Sequence, residues 1–115
     1  MAHNIGQQTM SQTDIVILAA GKGTRMQSVL PKVLHRLAGR SLLRHVLVAA
    51  ETVVDSQKIV VTGHGAEMVV RSLAPTDTVF VQQAEQLGTA HAVEVALPHL
   101  RDDAKILILY GDVPL

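Results

Sequence analysis

Two glycines, Gly21 and Gly23, enclose Lys22, and Arg25 follows two residues later in the stretch VILAAGKGTRM, Val16 to Met26. Glycines let a backbone approach a ligand closely and leave N–H groups free to face an anion. A lysine adds a point charge, and an arginine can grip phosphate oxygens through two parallel hydrogen bonds. The apolar residues before the loop read as a buried strand. Downstream, Pro31 precedes Lys32 in LPKVLH, where it stiffens the approach to another cation and discourages helix. A glycine pair alone would be read as a turn with solvated cations. With Arg25 and Pro31-Lys32 following, polyphosphate binding is the better reading.

Two familiar phosphate loops are excluded. The Walker spacing fails because Gly23, not Ser or Thr, follows Gly21-Lys22. The dinucleotide fingerprint fails because Met26 stands where its third glycine belongs, and GHGAEM fails in the same way at Met68. Other polar residues follow apolar runs, where Gln83 and Asp112, taken alone, would more often be solvated loop or turn residues. Gln83 carries an amide that can both donate and accept. Gly88 opens a helix-like segment at Thr89, which could equally be a helix cap. Asp112, in YGDV, offers a carboxylate of the kind that holds Mg²⁺ together with substrate phosphates, or a solvated turn residue. The six histidines, His3, His35, His45, His64, His91 and His99, form no His-x-x-x-His pair and have no cysteine partner. A zinc site is therefore not expected.

The elements that must position these residues follow from four nearly continuous apolar runs. They are Asp14 to Ala20, Lys58 to Thr62, Thr78 to Val81 and Lys105 to Tyr110. Continuous rather than alternating runs are expected of strands covered on both faces. Helical spacing lies between them. In SLLRHVLVAAETVV, Leu42, Leu43, Val46, Leu47, Ala50, Val53 and Val54 share one stripe, with Ser41 as the N-cap. AEMVVRSL and GTAHAVEVAL supply two more helices, closing near Pro75 and Pro98. Strand–helix alternation predicts an α/β fold: three α/β/α layers around a mostly parallel, Rossmann-like sheet. Ligands of such sheets bind beyond the carboxyl ends of the strands. That directs attention to loops 21–40, 63–65, 82–89 and 111 onward.

Composition narrows the function classes. The chain has 115 residues, 48% of them hydrophobic, enough for one domain with its own core. Ten basic and ten acidic residues balance, which argues against a broad nucleic-acid-binding face. Phe80 and Tyr110 are the only aromatics, too few for a base-stacking platform. Residues 1–13 are polar and read as a loose tail without signal-peptide order, and residues 14–115 as the domain. Absence of cysteine and of any bilayer-length apolar run suits a cytoplasmic protein with no integral membrane segment.

LAAGKGTRMQSVLPKVLH, from Leu18 to His35, resembles the signature of sugar-nucleotide pyrophosphorylases. QQAEQLGTAHA and YGDVPL look like the bacterial bifunctional N-acetylglucosamine-1-phosphate uridyltransferase/glucosamine-1-phosphate acetyltransferase family. The resemblance covers about Ile15 to Leu115 with its motifs in order. It implies formation of UDP-N-acetylglucosamine and pyrophosphate from UTP and N-acetylglucosamine 1-phosphate, Mg²⁺-dependent, for cell-wall precursor synthesis. It further implies that Leu18, Ala19, Ala20 and Gly21 lie against the nucleotide-sugar and that Arg25 and Lys32 hold the triphosphate during catalysis. By the same resemblance Gln83 reads the uracil, Gly88 and Thr89 adjoin the base, Tyr110 and Gly111 line the site, and Asp112 binds the metal.

Family members are implied to continue beyond this point. The continuation carries the acceptor-sugar contacts, an asparagine as second metal ligand, and a β-helix acetyltransferase domain through which the full-length proteins form trimers. The chain is accordingly expected to be a truncated, nucleotide-binding half of the uridyltransferase domain, inactive as it stands. Lys105 to Tyr110 would then be an unpaired apolar edge prone to association. The competing readings are another sugar-1-phosphate nucleotidyltransferase, or a non-catalytic remnant that needs a partner to complete its sheet.

Overall fold

Thr13–Ala19 forms β1, an apolar strand whose residues from Asp14 to Ile17 are all buried. The structure, a computed structural model, describes residues 12–20, 30–53, 56–74, 76–85 and 88–113. Gly21, Lys22, Gly23 and Arg25 of the glycine loop lie outside the described residues, as do Val54, Pro75 and most of the tail. Strands β4 (Ser56–Thr62), β5 (Val79–Gln82) and β6 (Lys105–Tyr110) complete a four-stranded sheet in the order β5-β4-β1-β6. All three pairings are parallel, with Val16 opposite Ile59 and Ile108, and Ile59 opposite Val79. Each run read as a strand is one, with ends shifted by at most two residues.

Helices α1 (Leu42–Ala50), α2 (Ala66–Leu73) and α3 (Thr89–Ala96) fill the crossovers. Because side chains alternate along a strand, Ile15, Ile17, Ala19 and Val60 face one side with Leu43, Val46, Leu47, Val69 and Leu73 of α1 and α2. Val16, Ala20, Ile59 and Val61 face the other side with Ala92 and Ala96 of α3. Two cores on opposite faces of one parallel sheet make the expected three layers.

Local chemistry explains the ends of α1. The Arg44 N–H donates to Ser41 Oγ at 3.0 Å, so Ser41 is the N-cap that its type suggested. The helix closes at Ala50, before Val53, which packs beside the core from the following turn. A short antiparallel pair, β2 (Arg36–Leu37) and β3 (Arg40–Ser41), precedes α1 and was not anticipated. Its turn, Ala38-Gly39, has positive φ at both residues. His45 of α1 ties it down through Nε2, 2.6 Å from the Leu37 carbonyl oxygen.

Coverage on both faces fails at one strand. β6 pairs with β1, but Ile106, Leu107, Ile108 and Tyr110 stay 39–50% exposed. The helices lie over β1, β4 and β5, which leaves this flank of the sheet bare among the described residues.

Candidate functional site

The carboxyl ends of β1, β5 and β6 and the start of α3 surround a cavity of about 320 Å³. Leu18 and Ala19 reach it from the end of β1, and Ala20 follows. These small or aliphatic side chains leave the backbone at the strand end open to close approach. Pro31, Lys32 and Val33 form one wall. Pro31 carries φ −56° and ψ 145°, and its carbonyl accepts from the Leu34 N–H at 2.9 Å, starting a 3₁₀ turn over Lys32–Leu34. Val33 and Leu34 bury themselves in the core, which turns Lys32 outward beside the cavity.

Gln83 enters from just beyond β5. Its backbone N–H donates to the Thr62 carbonyl at 2.7 Å, and the residue is only 3% exposed. Its side-chain Nε2 lies 2.8 Å from His91 Nδ1 and 3.5 Å from the Gly88 carbonyl oxygen. Gly88 is the N-cap of α3 with φ 103° and ψ 176°, a conformation essentially reserved for glycine. Thr89 is therefore the first helical residue and not the cap. It lines the cavity together with Ala92, one turn further on.

The third wall comes from β6 and the turn after it. Tyr110 and Asp112 line the cavity, and Lys32 Nζ stands 3.5 Å from Asp112 Oδ2. Gly111 lies between them without lining it. Its N–H donates to the Leu18 carbonyl at 2.9 Å, and an added Cβ would stand 3.2 Å from both that oxygen and Val33 Cγ1. Backbone contact at Gly111 thus sets the spacing between the β1 and β6 walls.

Leu18, Ala19, Ala20, Lys32, Gln83, Gly88, Thr89, Tyr110 and Asp112 therefore meet at one cavity. Gly111 supports it from behind, while Gly21 and Arg25 lie outside the described residues. Pro31, Val33 and Ala92 were missed as lining residues, although each sits inside a motif that had been singled out. His91 was weighed only as a metal ligand, and its contact with Gln83 has no signature in spacing.

The donor set bears on a metal. Among the described residues no three His, Asp or Glu side chains gather into a cluster. Asp112 offers a single carboxylate at the cavity wall. One carboxylate completed by ligand oxygens and water is an arrangement that Mg²⁺ accepts, so the residues fit a cation shared with bound phosphates.

A family model of the MobA-like NTP transferase domain matches residues 15–115, from the second residue after Thr13 to the end of the chain. The chain belongs to that family. Among the MobA-like NTP transferase relatives, the bifunctional protein GlmU of Cellvibrio japonicus is 60% identical over 102 residues, which are 89% of this chain and 22% of that protein. GlmU of Stutzerimonas stutzeri is 62% identical with the same coverage. The chain thus spans about a fifth of the length of these curated relatives.

Solved structures agree on the NTP transferase fold. Rv0371c from Mycobacterium tuberculosis superposes with a TM-score of 0.76 at 29% identity, over 89% of this chain and 53% of that one. The nucleotidyl transferase Mth528 from Methanothermobacter thermautotroptrophicus gives 0.77 at 26% identity, over 90% and 51%.

Proposed function

We propose that this chain binds UTP and UDP-N-acetylglucosamine as the nucleotide half of an N-acetylglucosamine-1-phosphate uridyltransferase, supplying cell-wall precursors in the cytoplasm. One observation carries the proposal: nine residues separated by as many as 94 positions, from Leu18 to Asp112, converge on one cavity at the carboxyl ends of parallel strands. About 60% identity to GlmU proteins supports the choice of nucleotide and sugar over those of other nucleotidyltransferases.

In the proposed reaction a phosphate oxygen of N-acetylglucosamine 1-phosphate attacks the α-phosphorus of UTP. The bond from that phosphorus to the oxygen bridging to the β-phosphate breaks in line, and pyrophosphate leaves with the electron pair. The nucleophile is already anionic, so no general base is needed. Rate enhancement of such a step comes from positioning and charge stabilisation. Lys32 neutralises charge on the triphosphate, and Arg25 acts with it from the glycine loop. Leu18, Ala19, Ala20 and Gly21 let the nucleotide lie against the strand end. Gly88 and Thr89 place the start of α3 beside the base, and Gln83 reads its edge. Tyr110 closes the wall next to Asp112, which would hold Mg²⁺. When bound, that ion supplies positive charge to the phosphate oxygens and to the departing pyrophosphate.

Calorimetric titration of the chain with UTP, UDP-N-acetylglucosamine and CTP, each with and without Mg²⁺, tests this reading. Uracil-preferring binding that Mg²⁺ strengthens, and that weakens in Lys32→Ala and Gln83→Ala, is the expected result. A folded chain that binds none of the three overturns it.

A further inference from the structure

The Gln83 amide is held from behind by α3. Its Nε2 faces both the Gly88 carbonyl oxygen, at 3.5 Å, and His91 Nδ1, at 2.8 Å. A carbonyl oxygen can only accept, so it needs the NH₂ end of the amide opposite it. Turning the amide over would set two carbonyl oxygens against each other. The Gly88 carbonyl, though 3.5 Å away, favours the NH₂ end opposite it, which makes His91 Nδ1 the acceptor of the shorter contact. A neutral imidazole that accepts at Nδ1 carries its proton on Nε2. Both amide hydrogens are then directed at α3, and Oε1 is the amide atom left for the cavity that Gln83 lines. His91 itself does not line that cavity.

We propose that His91 is a positioning residue for base selection: by accepting from Gln83 Nε2 it keeps the amide oxygen turned to the cavity, where it favours a pyrimidine that donates at N3. Uracil has an N–H at that position, whereas cytosine has a bare nitrogen that would face the amide oxygen acceptor to acceptor. Without the His91 acceptor the long contact to Gly88 is what opposes rotation of the amide among the described residues, and the NH₂ end can then present itself to cytosine. The inference rests on the proposed reading in which Gln83 meets the base.

UTP and CTP affinities measured on the full chain, His91→Ala and His91→Asn test it. Asparagine can set its side-chain oxygen near the position of Nδ1 and so restore the acceptor. The expected result is a fall of about tenfold in the UTP-to-CTP preference of His91→Ala, the scale of one misdirected hydrogen bond, with recovery in His91→Asn. A purely structural role would weaken both nucleotides together and leave their ratio unchanged, which overturns the proposal while base reading by Gln83 stands. An unmodified chain that binds UTP and CTP equally removes the reading beneath it, and the proposal with it. Should His91→Ala fail to fold, the ¹⁵N shifts of His91 in the unmodified chain decide. A bare Nδ1 with a protonated Nε2 supports the inference, and a protonated Nδ1 overturns it.

Discussion

Lys32 and Asp112 stand 3.5 Å apart with side chains 64% and 30% exposed, so water screens their attraction. Pairs of this kind contribute well under about 1 kcal/mol to folding. Whatever holds this lysine beside the cavity is the 3₁₀ turn and its buried neighbours Val33 and Leu34, not the ion pair. Lys32→Ala should therefore leave the thermal midpoint nearly unchanged while lowering UTP affinity about tenfold, the scale of one charge-assisted hydrogen bond. Melting curves run beside the titrations check this, and equal losses in both would refute it. Gly88 makes the opposite case. An added Cβ there would meet nothing within 4 Å, yet the backbone has φ 103°. Gly88→Ala should cost about 1–3 kcal/mol in urea unfolding, entirely from backbone strain. A neutral substitution would mean that the turn into α3 relaxes freely.

Secondary elements in this chain were legible wherever the signal was local. The apolar runs marked β1, β4, β5 and β6, and Ser41 marked the start of α1 because its hydroxyl serves the nearby Arg44 N–H. The β2–β3 hairpin escaped notice because Ala38-Gly39 lacks the Asn-Gly or Asp-Gly pair that usually announces such a turn. A polar clamp across 87 positions was equally invisible. Asp14, fully buried in β1, accepts from the Arg101 backbone N–H at 2.7 Å and from Arg101 Nε at 2.8 Å. Arg101 also donates from Nη2 to the Thr13 carbonyl at 3.3 Å, so this residue, four positions before β6, pins that strand's approach to the start of β1. In sequence, Asp14 looks like the polar edge of an apolar run. Asp14→Ala would take a carboxylate's hydrogen bonds from Arg101, whose side chain is 30% exposed and can turn part of its charge to water, a loss of about 1–3 kcal/mol. Chemical denaturation measures it, and a loss below about 1 kcal/mol would show that the clamp contributes little.

At the scale of the whole molecule, strand–helix alternation predicted a parallel sheet with helices on both faces but not the order of its strands. Alternation fixes the hand of each crossover, whereas the order depends on which side of β1 each later strand joins. β4 and β5 build outward on one side, and β6 returns to the other. That return is what gathers the site, since Tyr110 and Asp112 join Lys32 at one cavity only because β6 lies directly beside β1. It also leaves β6 with Ile106 and Ile108 on the α3 face and Leu107 on the opposite face, all about 40% exposed. A flat, apolar strand at the margin of a sheet is a template for further pairing. Its hydrophobic side chains favour contact with any similar strand, including that of a second copy. The 115-residue chain should therefore elute at a larger apparent size as its concentration rises. Ile106→Lys combined with Ile108→Lys should suppress that shift, because two added charges on one face repel an identical partner and oppose burial. The site residues lie beyond that stretch, so nucleotide affinity in the double variant should stay within about twofold of the unmodified chain. Concentration-independent elution of the unmodified chain would refute the edge as an association site. A double variant that stays monomeric but loses nucleotide binding would instead show that the β6 edge shapes the cavity as well as the surface.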